Sequence, residues 1–256
     1  MKDLSNCGVL FDTGHSINVV EGFTTSTFLA MLDARGDLHA AIADMRVLVH
    51  VPAPSPQVLF GADFLVIDAN ASHEKMLEAA QLAVHLGVSV FFEPTSVPKA
   101  KEACKSHDFV SCLSYASPNA EELIAMAYAS EEIPHQCDRL ITHNSKFIHD
   151  AAAIVLKRMM PRSFLIVTLG PNGVLLASKG SSETPVDDKI IFTHFHAVEI
   201  AHQQVMNTTG GGDSFVGAFL KAIIDGKDHS EAISYGQKIA VQCISYQESA
   251  ISPFII

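Results

Sequence analysis

The chain has 256 residues, 48% hydrophobic and 18% charged, enough to bury one sizeable core or a core with a small attached lobe. Its formal net charge of -11 argues against a general nucleic-acid or anionic-membrane partner, since both attract basic faces, but an anionic nucleotide can still be held locally through N–H groups and metal. Five cysteines (Cys7, Cys104, Cys112, Cys137 and Cys243) are odd in number and lack the paired spacing of zinc ligands or a disulfide framework, so reduced thiols in a cytosolic compartment are the simple reading. The first seven residues carry no apolar signal-peptide core, and no run reaches transmembrane length, so a soluble, cytoplasmic protein is expected.

Residues 1–22 form a mixed lead-in with one short apolar piece, Val9-Leu10-Phe11. Residues 24–32 are β-prone, residues 33–37 are turn-like and residues 38–45 resume an apolar run, which predicts a β-hairpin. The Pro-rich stretch 51–56 cannot donate regular backbone hydrogen bonds and reads as a connection. After it the pattern alternates. Strands are predicted at 63–68, 88–92 and 109–113, with helices at 73–86 and 97–104, the order of a parallel sheet with right-handed crossovers. Ligands in such sheets bind beyond the carboxyl ends of strands, which singles out Asp68, Asn70 and Glu93, although each also fits a polar loop residue or cap.

A further helix starts at Ser117-Pro118-Asn119-Ala120-Glu121-Glu122. Asn119 and Glu122 are three apart, so their side chains share a face and can reach one site; the same spacing also fits an N-cap with Glu at its third position. A helix over 145–160 leads to the apolar strand ending at Thr168-Leu169-Gly170, a turn at Pro171-Asn172-Gly173 and a second strand from Val174. In Thr193-His194-Phe195-His196 two histidines share a strand face, but no cysteine or carboxylate completes a ligand set, and solvent-facing histidines are the preferred reading. Helices are predicted over 215–224 and 231–247.

Just ahead of the first of these lies Asn207-Thr208-Thr209-Gly210-Gly211-Gly212-Asp213-Ser214-Phe215. Three glycines leave backbone N–H groups unshielded, and the apolar run behind them has helical spacing, so first-turn donors and the positive dipole end converge there. Such a point attracts anions. Asp213 inside it reads either as a reacting carboxylate or as an ordinary first-turn acid. The stretch is not a Walker A loop, because no Gly-Lys-Ser/Thr follows the glycines.

The run Thr209-Gly210-Gly211-Gly212-Asp213-Ser214-Phe215 with its following helix resembles the carboxy-terminal signature of the PfkB (ribokinase-like) sugar and nucleoside kinases. Asn119/Glu122 resembles the family's Asn-x-x-Glu motif, and Thr168, Gly170 and Gly173 resemble its nucleotide-side loop, all in the family's order. The resemblance implies an α/β, ribokinase-like fold, with a mostly parallel sheet flanked by helices and a small β lid at residues 20–50. It implies Asp213 as the catalytic base, with Gly210, Gly211 and Gly212 as anion hole. Thr168, Gly170, Gly173 and Thr209 fall at the ATP site, and Asn119 and Glu122 organise Mg²⁺ through water. ATP and Mg²⁺ are the implied cofactors. A monovalent cation is a further one in some members, where an Asp commonly stands at the position of Asn207.

The segments 92–96, 32–37 and 115–119 are similar to the pseudouridine-kinase branch, which implies phosphorylation of a nucleoside 5′-hydroxyl. Ribokinase-like sugar phosphorylation is the alternative enzyme. Nothing ahead of the hairpin matches the family's first strand, substrate-binding Asp, Gly-Gly segment and Asn. Residues 1–256 are therefore expected to be a single kinase domain lacking its amino-terminal portion. The sheet edge this would expose invites pairing into a homo-oligomer, and a catalytically silent, nucleotide-binding or subunit-pairing protein is the reading from another class.

Overall fold

The structure is a computed structural model describing residues 17–32, 38–130, 145–179, 189–200 and 205–246. The apolar piece at 9–11, the hairpin turn at 33–37, Cys7 and Cys137 lie outside the described residues. The chain divides into two compact units, residues 1–51 with 197–256 and residues 52–196. The first boundary falls at the start of the Pro-rich connection, which ends in a single helical turn, α1 (Pro56–Leu59), with proline at its start.

In the first unit, β1 (Thr27–Leu32) and β2 (Leu38–Asp44) form the expected antiparallel hairpin, with Phe28 opposite Ala43 and Leu29 opposite Ile42. The same unit holds two packed helices, α7 (Gly211–Ile224) and α8 (His229–Ile244). Phe215, Phe219, Ala222, Ala232 and Ile233 are buried. Asp228 caps α8, its side chain accepting from Glu231 N–H at 2.8 Å while Glu231 reaches back to the Asp228 N–H.

The second unit is a six-stranded sheet in the order β3 (Phe64–Asp68), β4 (Ser89–Glu93), β5 (Tyr115–Ala116), β6 (Phe164–Thr168), β7 (Val174–Lys179) and β8 (Ile190–Phe195). β3 to β6 run parallel because a helical crossover separates each pair; β6–β7 and β7–β8 are antiparallel. The crossovers are α2 (His73–His85), α3 (Val97–Cys104) with α4 (His107–Val110), and α5 (Ala120–Ala127) with α6 (Ser145–Arg158). One sheet face buries Val90, Phe92, Ala116 and Leu165 together with the small residues Ala80, Ala83, Ala100, Ala151 and Ala152 of the helices. Phe92 meets Phe109 edge-on at 5.1 Å, and burying such a ring contributes about 1.5–3 kcal/mol. On the opposite face Phe91, Tyr115 and Phe164 stack across three adjacent strands, with ring centroids 5.9 and 5.2 Å apart.

The strand predicted at 109–113 is corrected. That run is helical and turn-forming: the Ser106 side chain accepts from Phe109 N–H at 3.2 Å to start α4, and Phe109, Val110 and Leu113 are all fully buried from one side of the turn. The strand is the two-residue β5 that follows. A short apolar run has the same letters in either state, and here the serine cap decided between them.

Candidate active site

The first group of predicted residues sits at the start of α7, in the first unit. Gly210 is the N-cap and lies in the left-handed region at φ 83°, which explains the glycine. Gly210 has no side chain with which to cap this end, in contrast to the complete capping boxes of α5 and α8. Gly212 and Asp213 are exposed in the first turn, and among the described residues a β-carbon built on Gly212 meets no atom within 4 Å. The approach is shaped by Asn207, 7% exposed, whose Oδ1 accepts the Thr209 N–H at 2.9 Å. An uncapped, glycine-lined helix start with a carboxylate in its first turn can hold an anion and accept a proton beside it.

The second group lies in the second unit. Asn119 caps α5, its side chain accepting from Glu122 N–H at 2.9 Å, while Glu122 Oε2 accepts the Asn119 N–H at 2.9 Å. The capping reading of this pair is therefore realised. Glu122 is 5% exposed; burial pushes its carboxyl above the ordinary glutamate range, the Asn119 N–H opposes this, and the charge of Glu121 adds to it. One Glu122 oxygen and the Asn119 Oδ1 are committed to the cap, which argues against either group as a direct metal ligand.

Asn119 is bridged to Thr168 in parallel register, and the Thr168 N–H donates to the Pro118 carbonyl at 3.0 Å. Asn119, Glu121, Thr168, Gly170 and Asn172 line a cleft of about 230 Å³. Of the predicted residues, the structure thus brings Asn119, Thr168 and Gly170 to one cleft. Gly173 is buried behind the turn, where its φ of 90° and its carbonyl, accepting from Leu169 N–H at 2.8 Å, close the loop. Glu122 does not line the cleft.

The noted carboxyl-end residues form a third group in the same unit. Parallel register places Asp68 beside Glu93. Asp68 accepts from the Asn70 backbone at 3.0 Å and from its amide at 2.7 Å, and Lys99 donates to the Asn70 Oδ1. Thr95 ties the two strand ends together, its hydroxyl oxygen accepting from Ala69 N–H at 3.2 Å and its hydroxyl donating to the Glu93 carbonyl at 3.4 Å. Thr95 does this at φ 67°, a left-handed conformation that costs a β-branched residue about 1–3 kcal/mol.

Sequence reasoning missed Lys99 and Thr95. Lys99 had a usable signal, a cation in the first turn after a strand's carboxyl end; the backbone of Thr95 had none. His194 was read as solvent-facing, and it is exposed, but its Nε2 donates to the Asn172 carbonyl at 2.8 Å and so supports the turn that lines the cleft.

The chain resembles solved ribokinases in fold. It matches ribokinase of Arabidopsis thaliana, solved with ribose and ATP, at a TM-score of 0.73 and 20% identity, covering 95% of this chain and 69% of that one. It matches ribokinase of Cryptococcus neoformans, solved with ADP, at 0.73 and 18%, covering 99% and 76%. The architecture is ribokinase-like α/β: a mostly parallel six-stranded sheet flanked by helices. The model of the pfkB family of carbohydrate kinases matches residues 2–254, and the chain belongs to that family. Among curated relatives, a pseudouridine kinase of Arabidopsis thaliana is 27% identical over 263 aligned residues, covering 84% of this chain and 67% of the relative. A pseudouridine-metabolizing bifunctional protein of Schizosaccharomyces pombe is 25% identical, and the match spans 90% of this chain and 35% of that protein. No helix among the described residues is long and apolar enough to cross a membrane.

Proposed function

We propose that this chain transfers the γ-phosphoryl group of ATP to the 5′-hydroxyl of a nucleoside, with pseudouridine as the preferred acceptor. The observation that carries the reading is the start of α7, an uncapped helix end with three glycines and Asp213 in its first turn. Asp213 takes the proton from the attacking hydroxyl as the new O–P bond forms and the bond to ADP breaks. The N–H groups around Gly210, Gly211 and Gly212 stabilise the charge on the transferring phosphoryl oxygens, the main catalytic demand of this reaction. The cleft bearing Asn119, Thr168 and Gly170 serves the nucleotide, Gly173 closes the loop beside it, and Asn119 with Glu122 would organise water-held Mg²⁺ against the phosphate charge. Residues 20–50 are the acceptor lid, and the Asp68, Asn70 and Lys99 network offers donors and acceptors for sugar hydroxyls.

Pseudouridine is favoured by the likeness to the Arabidopsis thaliana pseudouridine kinase and to the Schizosaccharomyces pombe pseudouridine-metabolizing protein. Ribose is the second candidate, because ribokinases also match at similar identity. The test is ATP turnover with pseudouridine, ribose and adenosine, for the native chain and for Asp213→Asn. The expected result is ADP formation that depends on pseudouridine and is lost in the variant. No turnover with any acceptor, despite measurable Mg-ATP binding, would overturn the enzyme reading and favour a silent nucleotide-binding protein. Turnover that survives Asp213→Asn unchanged would remove Asp213 as the base.

A further inference from the structure

The three glycines at the start of α7 have three different physical causes. Gly210 is required by its left-handed backbone, and Gly212 opens onto free space. Gly211 has neither reason. Its backbone is in a region open to any residue, yet a β-carbon built on it would lie 2.9 Å from Cγ2 of Ile244, closer than real β-carbons approach anything. Ile244 is the last residue of α8, and Cγ2 is the methyl of a β-branched side chain, so it cannot swing aside as the tip of a long chain would.

The same residue grips the loop from its other side. The carbonyl of Ile244, at the end of α8 where helical partners run out, accepts the Met206 N–H at 2.8 Å and the Asn207 N–H at 3.3 Å. Asn207 in turn receives the Thr209 N–H, and the Gly211 N–H reaches back to the Thr208 carbonyl at 3.3 Å. One residue thus sets the entry of the glycine segment through its carbonyl and the height of its second glycine through a rigid methyl.

We propose that Ile244 is a positioning residue for the glycine turn: the end of α8 acts as a template that fixes where the first-turn N–H groups of α7 and Asp213 stand. Its consequence for turnover rests on the kinase reading above; its steric basis does not. Gly211 is then a packing requirement of this chain, paired with the side chain at position 244, rather than a demand of phosphate binding alone.

A four-protein cycle tests this: the native chain, Gly211→Ala, Ile244→Leu and the double variant. Leucine keeps the volume of isoleucine but carries no methyl branch on its β-carbon. In the native background Gly211→Ala should lower the melting temperature. In the Ile244→Leu background it should raise it by about 1–4 °C, because an alanine in an unstrained helical position restricts the unfolded chain. Turnover should follow the same coupling, with kcat falling about 10²-fold in Gly211→Ala, as expected for a misplacement near 1 Å, and recovering at least about tenfold in the double variant at unchanged KM for the acceptor. Equal melting shifts in both backgrounds would overturn the steric pairing. A melting-temperature coupling with no matching recovery in kcat would overturn the positioning role. A native chain without turnover would count against the kinase reading; the template would then be decided by the melting cycle and by Mg-ATP affinity, which should fall in Gly211→Ala and return in the double variant.

Discussion

Substituting Gly212 by alanine separates the demands of folding from those of phosphate handling at one position. Gly212 stands in the first turn of α7 outside the left-handed region, and its added methyl would meet no atom of the described residues within 4 Å. Folding therefore has nothing to lose. Alanine restricts the unfolded chain and should stabilise the protein by about 0.4–1 kcal/mol, a rise in melting temperature of about 1–4 °C for a chain of this length. The open space in front of Gly212 is, on the proposed reading, where phosphoryl oxygens approach. A methyl there should remove at least one backbone contact, and the loss of one such donor costs about 10²–10³ in kcat. Thermal unfolding and ADP formation with pseudouridine, measured on the same preparation with Mg-ATP affinity as a third readout, should thus move in opposite directions. A stabilised variant with full turnover and native Mg-ATP affinity would show that the space is not used by phosphate. A destabilised variant would contradict the packing around α7.

Two further substitutions probe the frame around the site. Glu122 is buried with a raised pKa, so its contribution to stability is present in full below the ordinary glutamate range and is lost as pH rises through its folded value. Glu122→Gln can keep the cap while removing that charge, so melting curves over a pH series should show the variant gaining on the native chain as pH rises; a pH-independent gap would refute the burial argument. Gly236 of α8 faces Phe215, where a β-carbon would lie 2.8 and 2.9 Å from two ring carbons and 3.1 Å from the backbone carbonyl. The ring can turn but the carbonyl cannot, so Gly236→Ala should pay about 1–3 kcal/mol of overpacking against about 1 kcal/mol of helix preference. The net cost of about 0–2 kcal/mol should leave the melting temperature unchanged or lower it by up to about 8 °C, and a clear rise would refute the close contact.

Much of this protein is legible in its letters. The hairpin of β-prone runs, the Pro-rich connection that marks the unit boundary, the helix running from Val97 to Cys104 and the strand–turn–strand around Gly170 all come from local rules of propensity, periodicity, proline and glycine, which act over a few residues and need no partner. The order of three short motifs was enough to indicate the family. Where two local rules competed, the letters were silent. The run 109–113 reads as a strand but folds as a turn behind the Ser106 cap, and Asn119/Glu122 reads as ligand pair or capping box until its two reciprocal 2.9 Å hydrogen bonds are measured.

Contacts between residues far apart in sequence belong to the tertiary structure alone. The strained Thr95, the Lys99–Asn70 pair and the hold of His194 on Asn172 join segments between 22 and 29 residues apart, and no local pattern names their partners. The glycines at the head of α7 divide along the same line. Their presence, and with it an anion-attracting helix start, was determined by the sequence, because glycine and helical periodicity act locally. That Gly210 answers a backbone angle, Gly211 a methyl of Ile244 and Gly212 open space was decided only when α8 folded back against α7, since a steric limit exists only once the two surfaces meet.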